Sequence, residues 1–222
     1  MTRPIIQIDP DFSDQLSYTR LGILSCSLDV QSSGAELLSF IQEQVDQIAA
    51  TLTREDISKL PVIKASREAY KTLGKDPARY RLSAEALLRR VTGGKSLYQI
   101  SNAVDLLNLV SIQSGFSIGG YDLSKVDGPI RLGVGQEGEP YEGIGRGVLN
   151  IAHMPVLRDE QGAFGTPTSD SVRTSVNPAT KTFLMVFYDF DGRGDLEGVL
   201  DRTQSMYADH LGAEAFDSWV VS

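Results

Sequence analysis

Six consecutive apolar side chains, Phe183-Leu184-Met185-Val186-Phe187-Tyr188, constrain this 222-residue chain more than any other feature. The run is far short of the roughly 20 residues that span a membrane. It is the length of one strand, and a strand so apolar belongs in the middle of a sheet with both faces covered. Residues 21–30, LGILSCSLDV, alternate instead, with Leu24, Cys26, Leu28 and Val30 on one side, which predicts a half-buried strand. Helical spacing fills the rest of the first half. Ser33 is placed to cap a helix carrying Leu37, Leu38, Ile41, Val45 and Ile48. Residues 63–73 read as a second helix stopped by Gly74, and Ser83 opens a third over AEALLRRV. Residues 101–114 read as a fourth, closed at Gly115. Beyond 116 glycines become dense. Short strands are expected at PIRLGV and GVLNIAH, and a polar loop or hairpin at 159–180. A closing helix over DLEGVLDRTQSMYADHLG and a last strand at AFDSWVV complete the chain. The predicted class is mixed α+β, with helices concentrated in the first half and a mostly antiparallel sheet in the second, not a βαβ array.

Hydrophobic residues make up 41% of the chain and charged residues 23%, which excludes a disordered chain, a coiled coil and a collagen repeat. Met1–Pro10 contains no apolar leader, and the one cysteine, Cys26, has no internal partner. These features lead to the expectation of a soluble, cytoplasmic protein in a reducing compartment. The net charge of −8 argues against nucleic acid. That average hides an asymmetry. Residues 64–95 hold nine basic residues against Glu68, Asp76 and Glu85, a surplus of six, which leaves the rest of the chain at −14. Such a block reads as a polyanion site, a solvated helix face or an internal salt-bridge bank.

Gly133-Val134-Gly135-Gln136-Glu137-Gly138 matches G-x-G-x-x-G, but Glu139-Pro140 follows where a helix should open, and the nearby glutamates would repel phosphate. It reads as a glycine-rich turn. Asp189–Asp195 imitates a calcium loop but has Leu200 where a bidentate glutamate is needed, so it reads as a turn with Asp195 capping the closing helix. His153, read as packing, and His210, at a helix end, are too few for most zinc sites. No metal and no organic cofactor is expected. Pro167–Thr174, PTSDSVRT, gathers four hydroxyls, Asp170 and Arg173 within a few residues. It fits a polar ligand site, with Arg173 on an anion and Asp170 orienting water, or equally a set of local turns closed by an ion pair.

Two stretches taken together resemble a known family. One is Lys64–Arg90, KASREAYKTLGKDPARYRLSAEALLRR. The other is Ile100–Ser111, ISNAVDLLNLVS, continuing to Gly119-Gly120-Tyr121-Asp122-Leu123. They resemble the B3/B4 domain of the phenylalanyl-tRNA synthetase β-subunit, and still more its free-standing relatives. The core of the likeness is V-D-x-x-N-x-V followed by an aromatic–Asp pair. Gly138-Glu139-Pro140-Tyr141 and the PTSDSVRT loop fit the free-standing branch. The resemblance covers about residues 60–215. The whole chain, 1–222, is read as one B3/B4-like domain, with a strand–helix part at 1–58 and a core at 59–222.

In the synthetase this domain is the editing module, which hydrolyses tyrosine wrongly esterified to the tRNA for phenylalanine. The resemblance implies a tRNA partner met at its aminoacylated 3′ end, with no DNA and no membrane. It implies a free-standing aminoacyl-tRNA deacylase acting in trans or, alternatively, a non-catalytic tRNA or amino-acid binding module. On the first reading Asp170 orients water, and Asn108, Gly119, Gly120, Tyr121, Ser169, Ser171 and Arg173 hold the substrate. Lys64, Arg67, Arg81, Arg89 and Arg90 meet phosphates. An aminoacyl ester is already activated, so a positioned water and oxyanion donors suffice without a protein nucleophile. Two departures stand against this. Gly119 occupies about the place of the editing histidine, and Val186 and Phe187 stand where an acidic residue is expected. The Gly119–Gly120 pair would leave room for a different ligand.

Overall fold

The apolar run lies at the centre of a sheet. A computed structural model describes residues 3–222. It runs β1 (Ile6–Ile8), α1 (Pro10–Ser13), β2 (Arg20–Ser27), α2 (Ala35–Thr51), α3 (Pro61–Thr72), α4 (Ser83–Val91), α5 (Asn102–Ser114), β3 (Ile118–Asp122), β4 (Ile130–Val134), β5 (Glu142–Gly143), β6 (Gly147–Val148), β7 (Pro155–Asp159), β8 (Gly162–Gly165), β9 (Thr182–Asp189), α6 (Leu196–Leu211) and β10 (Glu214–Val221). One sheet has the order β10-β2-β9-β3 and is antiparallel throughout. A second has the order β1-β4-β7-β8, with only the β1–β4 pair parallel. β5 and β6 form a small separate ribbon. This is a mixed α+β fold dominated by antiparallel pairing.

The alternation along β9 sets the layers. Phe183, Met185 and Phe187 join Leu24 and Cys26 of β2 in a core covered by α2, α4, α5 and α6. Leu184, Val186 and Tyr188 face the other way and join Leu21 and Ile23 against Ile130, Leu132, Leu157 and Phe164 of the second sheet. The molecule is thus a helical layer, a central sheet and an outer sheet. Tyr70, Leu82, Tyr141, Ile151, Met154 and Val156 make a smaller core beside the outer sheet. Burial in the first core also pushes the Cys26 thiol up to about 12.

Helix ends follow local chemistry. Ser101 caps α5, accepting the Val104 N–H, and Gly115 closes it in the left-handed region at φ 78°. Asp195 caps α6, and Arg20 neutralises Asp189, so the Asp189–Asp195 segment is a strand exit and helix cap. Ser33 does not cap α2. Gly34 holds that position, and the Ser33 hydroxyl donates to Asp105 at 2.6 Å. GVLNIAH is not a strand beyond Gly147–Val148, because Ile151 and Met154 turn inward as a loop. His153 in that loop is exposed rather than packed. It adopts φ 63° and lies 3.4 Å from a Glu137 oxygen. Gly135 and Gly138 follow β4 in a turn, with no helix there.

Candidate functional site

The site is built on β3, the edge strand of the central sheet. In the antiparallel ladder, Gly120 and Asp122 turn their N–H groups outward. The segment after β8 satisfies both. Asp170 Oδ2 accepts the Gly120 N–H at 3.1 Å, and the Thr174 carbonyl accepts the Asp122 N–H at 3.0 Å. The 166–180 segment is therefore a cover for a sheet edge that would otherwise be open. Asp122 in turn accepts the Ser124 N–H and the Thr180 hydroxyl. Asp105 does the same for α5, accepting from Ile100 N–H and Ser33. Both motif aspartates thus tie loops to elements.

Asp170 as a residue is half-buried, but its carboxyl is the enclosed part. Burial pushes its pKa up to about 7, held back by the Gly120 N–H and the neighbouring Tyr121 hydroxyl. A group of tyrosines surrounds it. Tyr121 and Tyr188 place their hydroxyl oxygens 3.5 Å apart, and Tyr70 lies 2.9 Å from the Thr168 hydroxyl. Tyr141 donates to the Ser169 carbonyl at 2.6 Å and the Phe164 carbonyl at 3.2 Å. Burial holds all four phenols above their usual range, and the Asp170 charge adds to the rise at Tyr121, Tyr141 and Tyr188.

Gly119 and Gly120 do not leave a vacant ligand space. A Cβ on Gly119 would lie 2.0 Å from the Tyr121 hydroxyl, and one on Gly120 would lie 2.7 Å from Leu107. Gly165 of β8 makes the matching concession, since its Cβ would lie 2.1 Å from the same hydroxyl. The chain's own Tyr121 fills the space, and Tyr121 is fully buried, so it has no face open for a nucleic-acid base. Gly119 stands directly opposite Val186 in the β3–β9 ladder. Gly119 and Val186 are therefore cross-strand neighbours, and the Tyr121 phenol packs over Gly119 between the two sheets.

Beside this group is an open cleft of about 590 Å³ whose walls include Pro140, Tyr141, Glu142, Val148, Ser171 and Arg173. The PTSDSVRT segment thus splits. Ser171 and Arg173 face the cleft while Asp170 turns its carboxyl to β3. Ser169 and Ser171 are engaged locally. The Ser169 hydroxyl donates to the Asp170 carbonyl, and Ser171 accepts the Arg173 N–H. Arg173 grips Asp159 with two bonds of 3.0 and 2.8 Å and also donates to the Lys125 and Gly162 carbonyls. It is a clamp on the outer sheet rather than a free anion receptor. Glu142, exposed on the ribbon, has no salt-bridge partner among the described residues. Asn108 is half-buried on α5, and no α5 residue lines this cleft.

The basic segment resolves into separate roles. Arg67, Arg81 and Arg89 converge on Glu85 at 2.8, 3.8 and 2.9 Å. Arg90 points elsewhere, donating to the Ser96 carbonyl and stacking on Tyr98 at 3.9 Å. Lys64 is exposed along a different groove, of about 550 Å³, between α3 and Phe190–Gly194. Lys75 is buried, with its ammonium on the Asn150 and Ala152 carbonyls. Reading the sequence singled out Tyr121, but not Tyr70, Tyr141 or Tyr188 as its companions around Asp170, nor the role of Glu85. Two signals were present. Tyr188 is a hydroxyl inside the apolar run and needs a buried partner, and Glu85 sits four residues from both Arg81 and Arg89. Among the described residues no three His, Cys, Asp or Glu side chains converge to hold a metal ion, and no helix is long and apolar enough to cross a membrane.

No curated protein matches the chain. Among solved structures it is similar to an N-terminal fragment of the phenylalanyl-tRNA synthetase β-subunit from Pyrococcus horikoshii, with 14% identity and a TM-score of 0.49. That similarity covers 100% of this chain and 51% of the other, so this chain spans about half the length of its counterpart. The B3/4 domain family model matches residues 65–196, from the α3 arginine helix through the edge strand and its cover to the start of α6, which is more than half of the chain, and the chain belongs to that family.

Proposed function

We propose that this protein is a binding module that receives the aminoacylated 3′ end of a tRNA and does not hydrolyse it. The tRNA partner follows from the family and from the resemblance of its motifs to the synthetase editing domain. The absence of turnover rests on one observation: Gly119 and Val186 face each other beneath the Tyr121 hydroxyl, so the pair that would handle a proton is replaced by packing. The nearby cleft suits an aminoacyl group, since Val148 and Pro140 offer apolar surface and Glu142 can meet an ammonium. A second reading, deacylation in trans, draws on Asp170. A carboxyl that titrates near 7 is poised to exchange a proton at neutral pH.

One experiment separates them. Wild type and Asp170→Asn are incubated with a panel of mischarged tRNAs, and ester loss and tRNA retention are followed together. The binding reading expects aminoacylated tRNA to be retained over uncharged tRNA, with ester loss at the spontaneous rate. Ester loss with wild type but not with Asp170→Asn replaces it with the deacylase reading. Equal retention of charged and uncharged tRNA removes the aminoacyl end as the ligand.

A further inference from the structure

The arginines around Glu85 are more numerous than that carboxylate requires. Glu85 lies in the first turn of α4 and its side chain is 1% exposed. A carboxylate so enclosed needs a cation, and one would suffice. Three are supplied. Arg67 of α3 donates to Oε2 at 2.8 Å, Arg89 of α4 donates to Oε1 at 2.9 Å, and Arg81, just before α4, stands 3.8 Å from Oε1. The cluster carries a surplus of two positive charges, and like charges held this close repel one another. Arg67 and Arg89 each spend one N–H on Glu85, and among the described residues none of the three makes another side-chain hydrogen bond. A guanidinium has five N–H donors in a planar fork, so most of the donors remain available. The side chains are 23%, 44% and 25% exposed, which leaves those donors open to solvent. A salt-bridge bank built for stability would be neutralised one for one. This one is pinned from the inside and left positive on the outside.

We propose that Arg67, Arg81 and Arg89, fixed by Glu85, form a phosphate-binding site. The surplus of two matches one phosphate monoester dianion or two neighbouring phosphodiesters of an RNA backbone. In both cases the recognised chemistry is tetrahedral phosphate oxygen gripped by planar N–H forks. The site is separate from the Asp170 group and the cleft beside it, and it stands whether or not an aminoacyl end is bound there.

The test uses the full chain and three probes: inorganic phosphate, an RNA oligonucleotide with a 5′-phosphate, and the same oligonucleotide without it. Binding is followed through the arginine Nε–Hε resonances. The informative variant is Arg81→Gln, because Arg81 is the most exposed of the three and makes no hydrogen bond to Glu85. It is expected to keep the wild-type melting temperature and to lose about tenfold in phosphate affinity, the worth of one charge-assisted hydrogen bond. Arg67→Gln is expected to lose both affinity and stability, because it unpairs Glu85. A preference for the 5′-phosphorylated oligonucleotide marks a monoester site. Equal binding of the two oligonucleotides, competed by phosphate, marks a backbone site. If phosphate leaves all three arginine resonances unmoved, or if Arg81→Gln binds every probe like wild type, the cluster is internal pairing and the proposal fails. Because inorganic phosphate is one of the probes, that failure is distinct from a failure of the tRNA reading.

Discussion

At the scale of single residues, Asp170 carries the most testable physics. Its carboxyl titrates at about 7 in the folded chain, against roughly 3.9 in an unfolded one. A raised carboxyl pKa means the folded state holds the proton more tightly. The resulting stability is fully present below about pH 4 and is lost as pH rises through 7, where the fold must enclose an anion. Asp170→Asn keeps the shape but cannot ionise. The melting temperature of wild type relative to Asp170→Asn is therefore expected to fall between about pH 4 and pH 8, by on the order of 10 °C. Asp189, also raised by burial, is present in both proteins, so its contribution cancels in the difference. Calorimetric melts at four or five pH values check this, and a difference that stays flat would mean the carboxyl is not enclosed. The sequence marks Asp170 as the one carboxylate in a hydroxyl-rich segment. It does not reveal that the side chain would turn to an N–H of an edge strand far away in the chain.

Among elements, those written locally are the ones the sequence discloses. α5 is bracketed by Ser101 and Gly115, and β9 by its apolar run, so both can be read without tertiary information. β1 cannot. Ile6–Ile8 is three residues long and exists because it pairs in parallel with Ile130–Leu132, a contact no local pattern encodes. The packing of β3 against β8 is of the same kind, and it depends on Gly119 and Gly165 admitting the Tyr121 hydroxyl between them. Gly165→Ala is expected to cost about 1–3 kcal/mol by overpacking. In a Tyr121→Phe background, where the hydroxyl is gone, the same substitution is expected to cost less, with a coupling of about 1 kcal/mol. Urea unfolding of the four proteins of that cycle measures it. An equal cost in both backgrounds would show that some other neighbour, not the Tyr121 hydroxyl, limits the approach of the two sheets.

Over the whole molecule, the charge asymmetry seen in the sequence is largely consumed by folding. The 64–95 segment has a surplus of six, yet Glu85 takes three arginines, Lys71 pairs with Glu68, Lys75 is buried on carbonyls, and Arg90 lies over Tyr98. Lys64, Arg79 and Lys95 stay exposed with no salt-bridge partner among the described residues, so the Glu85 cluster is where arginines converge rather than the whole of the outward charge, on a chain whose net charge is −8. Long-range attraction to a polyanion is poor, and what remains is a short-range grip on about two phosphates. Each neutralised phosphate contributes about 0.7–0.9 to the slope of log affinity against log salt, so tRNA binding is expected to weaken with a slope of about −1.4 to −1.8. Titrations spanning about 50 to 200 mM monovalent salt resolve that slope. Arg81→Gln is expected to flatten it by about one phosphate contact while leaving the fold intact, since Arg81 makes no hydrogen bond to Glu85 and its replacement brings no like charge beside it. A slope as steep as about −5 would require a broad basic face of many contacts, and the compact cluster on Glu85 could not supply it.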